Sequence, residues 1–205
     1  MSNLDRALAE ISAIRGQLAR ATEFRGYGPA TFAITGFLAV LAALIQATWL
    51  KDPAGHPLAW LTLWIGVAAA SAAIIGWEMV TRSRRMHSGL ADEMIRTAVA
   101  QFLPAAAAGL LLTAVVARFA PQGLPLLPGL WQLLFSVGVF ASCRFLPRSL
   151  VAVGVWYMAA GLVSLSRSGG PDAFSPWTMG VAFGVGQMLV AILLHRGLGD
   201  DHERG

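Results

Sequence analysis

Charge is what this chain has least of. Charged residues make up 13% of its 205 positions, about half the share of roughly 25% found in an average soluble domain. Cysteine occurs once, as Cys143, which excludes an internal disulfide, thiol-pair redox chemistry and a CxxC metal site within one chain. No HExxH, GxSxG or Walker-type run is present, so zinc hydrolysis, a nucleophile elbow and a phosphate-cradling loop have no sequence support. His56, His87, His195 and His202 all lie at or beyond the ends of apolar stretches. None is mid-span, where haem ligation between facing helices needs them. No catalytic, cofactor-binding or metal-binding residue is assigned, and no cofactor is expected.

Apolar residues fill the space, at 56% of the chain. They gather in six stretches, near 29–50, 57–80, a third ending near 120, then 130–146, 149–165 and 176–194. Each falls in or near the range of roughly 17–25 residues that an α-helix needs to cross a bilayer core. The joints between them carry Gly, Pro or charge. The joint Pro147-Arg148 is so short that the fourth and fifth spans must be antiparallel neighbours. The expected fold is all-α: a polytopic membrane helix bundle with six transmembrane helices in one domain, 29–195. An N-terminal amphipathic cytosolic helix occupies 1–28 and a charged cytosolic tail 196–205. The first apolar run starts after a polar stretch that includes Asp5, Glu10 and Glu23, which does not read as a cleavable signal.

In the N-terminal segment, Leu4, Ala7, Leu8, Ile11, Ile14 and Leu18 share a stripe of roughly 120° at helical periodicity. Arg15 interrupts it. Such a helix lies on the inner membrane face, caps the bundle from the cytosol or pairs with a partner helix. Before the third span, Ser88 is placed to cap a helix whose Leu90, Met94, Ala98 and Phe102 share a face, while Asp92 and Arg96 form an i,i+4 pair. That helix is expected to enter the membrane without a break, kinked near Pro104.

Orientation follows from the basic residues. With the N-terminus inside, Arg6, Arg15, Arg20, Arg25, Arg82, Arg84, Arg85, Arg96, Arg144, Arg148, Arg196 and Arg204 are cytosolic. Only Lys51, Arg118 and Arg167 are outside. The opposite topology inverts this ratio, against the positive-inside bias. The basic excess therefore reads as orientation, and no nucleic-acid partner is expected. Trp49, Trp60, Trp131 and Trp177 fall near the outer ends of spans, where an aromatic belt belongs. Trp60 with Gly66, Trp131 with Gly138 and Trp177 with Gly184 recur at spacings of six or seven, which fits either three related hairpins or chance.

Charged groups inside a span are costly, roughly 2.5–3.5 kcal/mol at a helix centre on insertion scales. Glu78 and Arg144 both lie about one turn from the inner ends of their spans. They either pair across the second and fourth spans or snorkel separately. Gln46, Gln132 and Gln187 are candidates for a polar bundle interior. Gln187 stands beside Gly180 and Gly184, a small-xxx-small pair that lets another backbone approach closely. That pair is a candidate helix-packing face, inside the bundle or between copies, or else a ligand groove lined by bare backbone.

The runs Phe24-Arg25-Gly26-Tyr27-Gly28-Pro29, Gly129-Leu130-Trp131-Gln132-Leu133-Leu134-Phe135 and Phe140-Ala141-Ser142-Cys143-Arg144-Phe145-Leu146-Pro147 resemble those of an uncharacterised family of small six-span bacterial inner-membrane proteins. The resemblance implies a bacterial source and the same helix count, and it carries no activity. Two functional expectations stand. The first is a non-enzymatic regulatory or scaffold membrane protein working through its cytosolic face, with the lipid bilayer, a cytosolic protein and a homo-oligomer as partners. The second is a transport or substrate-capture subunit, with an outward-open cavity containing Gln46, Gln132 or Gln187.

Overall fold

A computed structural model of the chain describes residues 28–86, 89–143 and 148–200. The N-terminal segment, Arg144 and the last five residues lie outside them. Among the described residues the chain is all-helical: α1 (Pro29–Trp49), α2 (Pro57–Met86), α3 (Gly89–Phe119), α4 (Leu127–Ser142), α5 (Val151–Ser166) and α6 (Pro176–Asp200), with 3-10 turns at Pro121–Leu126 and Arg148–Leu150. Proline opens α1, α2 and α6, because its fixed φ suits the first turn and its missing N–H is one the helix would leave unpaired. The third apolar stretch does continue its polar lead-in as one 31-residue helix, with Pro104 inside it. The tail expected from 196 begins as helix, since α6 runs on to Asp200.

Among the described residues, five helical segments are long and apolar enough to cross a membrane: Pro29–Trp49, Pro57–Thr81, Val99–Phe119, Pro121–Ser142 and Pro176–Arg196. The fourth gains its length from the 3-10 turn that runs directly into α4. The sequence reads that segment as a joint, but its two prolines are compatible with a tight helical turn. α5 is shorter, at 16 residues.

The helices are amphipathic in reverse. On α1, Thr35, Gly36, Ala39, Ala42, Ala43 and Gln46 face inward, while Ile34, Phe37, Leu41, Leu44 and Ile45 are exposed. Large apolar side chains point out along the other helices too. Water does not tolerate apolar surface of that extent, whereas lipid does, and small residues inside let backbones approach. This is a multi-pass membrane protein by length, composition and burial.

Successive helices pack against one another, and α1 closes on α6 to give the order α2–α1–α6–α5–α4–α3. The α1–α6 and α4–α5 seams are the most extensive. In the second, a Cβ on Gly129 would come within 2.8 Å of the Gly161 carbonyl oxygen, and one on Gly161 within 3.0 Å of that of Gly129. Only paired glycines allow that approach.

At the loop end that holds residues 51–56 and 167–175, an aromatic knot fills the bundle. Trp60 stacks on Trp131 at 5.5 Å and 9°, with Phe174 edge-on at 5.1 Å. This corrects the aromatic-belt reading for Trp60, while Trp131 is half-buried. Trp60 is 1% exposed and Trp131 packs against the same core. Trp49 and Trp177 are the members that face outward. Position along a span set the expectation, but the face of the helix decides it. A second core joins Tyr157 and Val153 to Phe135, Phe183 and Leu193.

Candidate functional site

The three glutamines singled out by sequence are all buried, at three different places. Gln46, near the end of α1, donates from Nε2 to the Phe174 carbonyl at 2.7 Å and accepts from Trp64 Nε1 at 2.7 Å. One side chain thus ties α1, α2 and the approach to α6. Gln132 on α4 donates from Nε2 to the Thr178 carbonyl at 2.9 Å and accepts from Ser164 Oγ at 3.0 Å. Ser164 Oγ also lies 2.8 Å from the Ala160 carbonyl, so its single proton has two acceptors. Both amides have strong partners within the protein. Three further bonds follow the same pattern: Trp131 Nε1 to Thr113 Oγ1 at 2.8 Å, Ser136 Oγ to the Gly154 carbonyl at 2.8 Å, and Trp156 Nε1 to the Ala182 carbonyl at 2.8 Å.

Gln187 differs. It sits mid-way along α6, opposite Gly36 of α1, where a Cβ would come 3.1 Å from Gln187 Cβ. Its Oε1 is buried and has no hydrogen-bond partner. The Tyr157 hydroxyl on α5, pressed against Gly186, is also buried without a partner, as is Trp60 Nε1. An unmet buried polar group costs on the order of 1–3 kcal/mol. With Trp60 Nε1, Gln187 Oε1 and the Tyr157 hydroxyl are the buried side-chain groups left without a partner among the described residues. Gln187 offers a neutral amide oxygen that accepts, and Tyr157 a neutral hydroxyl that donates or accepts. They suit recognition or a bound water better than proton transfer or nucleophilic attack.

Gly180 and Gly184 face α1. A Cβ on Gly180 would collide with Ala43 Cβ, and one on Gly184 would come 2.7 Å from Val40 Cγ2. The close approach they permit is used inside the bundle. Glu78 is half-buried near the end of α2, while its proposed partner Arg144 lies outside the described residues. His56 is exposed in the 51–56 loop with Nδ1 3.2 Å from the Asp52 carbonyl oxygen, and His195 is exposed at the other end of the bundle. Among the described residues no three His, Cys, Asp or Glu side chains gather to hold a metal.

Sequence reading missed Tyr157 and the inward tryptophans. A signal was present: in each of the first two hairpins an indole follows a polar side chain by 18 residues, Gln46 with Trp64 and Thr113 with Trp131. Across an antiparallel hairpin that separation sets the two groups at one depth. No family model, no curated protein and no solved structure matches this chain.

Proposed function

We propose that this chain is a six-span protein of a bacterial inner membrane with both termini in the cytosol, of the small six-span family its motifs resemble. In this reading it is non-enzymatic, a regulatory or scaffold protein that works through its cytosolic face. The sixth crossing rests on α5. Its 16 residues rise about 24 Å, and the preceding 3-10 turn adds about 6 Å, which together match the roughly 30 Å of a hydrocarbon core. α5 also lies antiparallel along α4, from Gly154 beside Phe140 to Gly161 beside Gly129. If α4 crosses, α5 crosses back.

The observation that carries the functional reading is an asymmetry between the two ends of the bundle. The end with loops 51–56 and 167–175 is filled by the Trp60–Trp131–Phe174 knot. At the other end α2 and α3, at 30 and 31 residues, are each about 15 Å longer than a bilayer core. Their excess length carries Arg82, Arg84, Arg85 and Arg96. A closed outer end and a basic helical projection on the inner side suit contact with a cytosolic partner better than capture of a solute from outside.

The capture reading keeps one specific observation in its favour, the unmet Gln187 Oε1 and Tyr157 hydroxyl. Gentle purification from native membranes, followed by mass spectrometry of everything retained, separates the two. A stoichiometric soluble protein is the expected result. A stoichiometric metabolite, lost on Gln187→Leu, would replace the regulatory reading with capture.

A further inference from the structure

Two adjacent residues of α5 reach one turn of α6. Trp156 donates from Nε1 to the Ala182 carbonyl at 2.8 Å. Tyr157 lies against Gly186, where a Cβ would collide with its ring and hydroxyl oxygen. In an α-helix the carbonyl of Ala182 is also the acceptor for the Gly186 N–H, four residues on. The two side chains therefore stand at the two ends of a single backbone hydrogen bond of α6. One end already has a second partner, the indole. At the other end stands an oxygen that has none, since the Tyr157 hydroxyl is buried without a hydrogen bond.

The turn that holds this bond is weak by composition. Gly184 and Gly186 fall within it, and glycine is the poorest helix former after proline. Gln187, the next residue, carries a second buried acceptor without a partner. Breaking a helical bond in lipid is ordinarily costly, because no water replaces it. It is tolerated where neighbouring side chains take over the freed groups. Here both replacements are in place: the indole for the freed carbonyl, the hydroxyl oxygen for the freed N–H. There is also room to bend. On the side of α6 turned away from Tyr157, Val181, Val185, Met188 and Ile192 are exposed, and lipid yields where packed protein does not.

We propose that α6 bends at this turn, between the unbroken helix and a second form in which the Ala182–Gly186 bond opens. In the bent form Trp156 keeps the carbonyl, and the Tyr157 hydroxyl oxygen accepts the Gly186 N–H. The hydroxyl left unmet in one form is met in the other, which accounts for its burial without a partner. A bend of about 20°, carried over the roughly 14 Å of helix from Gly186 to His195, shifts His195 by about 5 Å. The moving half of α6 ends at Asp200, so the bend couples the bundle interior to that end of the molecule. The inference goes beyond the proposed function and does not depend on which side of the membrane that end faces.

The test uses the full-length chain in lipid nanodiscs. Nitroxide labels are placed at Val99→Cys on α3 and His195→Cys on α6, both exposed, on a Cys143→Ser background. Pulsed electron–electron resonance reads the distance distribution between them. Two populations are expected, separated by about 5 Å, the smaller on the order of a tenth of the molecules. Tyr157→Phe removes the acceptor that only the bent form uses and breaks no bond of the unbroken helix. It is expected to reduce the smaller population at least about threefold. Trp156→Phe leaves the freed carbonyl unmet and is expected to reduce it as far. Trp177→Phe, at an exposed indole of the same helix, is expected to leave it unchanged. A single distance in the labelled parent overturns the proposal. So does a second population that survives either α5 substitution or falls equally with Trp177→Phe. Should Trp156→Phe fail to fold, Tyr157→Phe alone decides.

Discussion

The indole N–H of Trp64 donates to the amide oxygen of Gln46 at 2.7 Å, and the same amide donates onward to the Phe174 carbonyl at 2.7 Å. A side chain that would be costly alone in an apolar core thereby joins three segments far apart in sequence. Gln46→Leu leaves both an indole N–H and a carbonyl unmet. The expected loss is about 1–2 kcal/mol, near the upper end for interhelical bonds in membranes. Trp64→Phe is expected to lose a similar amount. In a double-mutant cycle followed by thermal unfolding in detergent, the combined loss should fall short of the sum by about 1 kcal/mol. Strict additivity would show that the bond contributes nothing.

Glycines of this chain divide by what surrounds them. Gly180 and Gly184 lie against Ala43 and Val40, whereas a Cβ on Gly66 meets nothing within 4 Å. Gly184→Leu, and Gly180→Leu still more, force α1 and α6 apart and are expected to cost about 2 kcal/mol or more. Gly66→Leu should change stability by less than about 0.5 kcal/mol. Size-exclusion profiles after graded heating report the difference directly. Equal tolerance at all three positions would contradict the α1–α6 seam.

Tyr157→Phe removes a buried hydroxyl that has no partner. Replacing an unmet polar group with an apolar one of the same shape is nearly neutral or stabilising. The expected change in unfolding free energy is between no effect and a gain of about 1 kcal/mol, and Gln187→Leu should behave alike. A loss above about 1 kcal/mol in lipid nanodiscs would mean that the hydroxyl has a partner in the membrane, a bound water or a ligand.

The proposed topology places residues 83 and 169 on opposite sides of the membrane. With Cys143→Ser as background, Ser83→Cys should react with an impermeant maleimide only after the cytosolic side is opened. Gly169→Cys, exposed in the loop before α6, should react in intact cells. A reversed pattern requires the inverted orientation, and labelling of both from one side requires a change in the number of crossings.

Much of the fold was legible in the sequence because lipid imposes a one-dimensional rule. A long apolar stretch must become a helix that satisfies its own backbone, and α1, α2 and α6 begin at the prolines where the pattern begins. The fifth span was harder. Its apolar run is continuous with its neighbours in composition, but its helix is 16 residues long, and only its packing along α4 argues that it crosses.

Side-chain direction was not legible. Trp49 and Trp60 both stand near the ends of apolar stretches that the 51–56 loop joins, yet one is 85% exposed and the other 1%. In a chain apolar on every face, periodicity no longer separates inside from outside, so the hydrophobic pattern that orients a soluble helix is weak here. The partners of Gln46 and Gln132 come from Phe174, Ser164 and Thr178, positions that no local pattern connects to them.

The sequence by itself determined that the chain is helical, where most helices start, and at which ends of the apolar stretches the arginines gather, because these follow from local composition and from the cost of burying charge and bare backbone in lipid. Only the tertiary structure decided which face of each helix is inside, that the first helix closes on the last, and which buried amides are spent on packing. Those depend on close contact between segments more than a hundred residues apart, such as Gln46 and Phe174, and an apolar surround offers no solvent to sort one face from another.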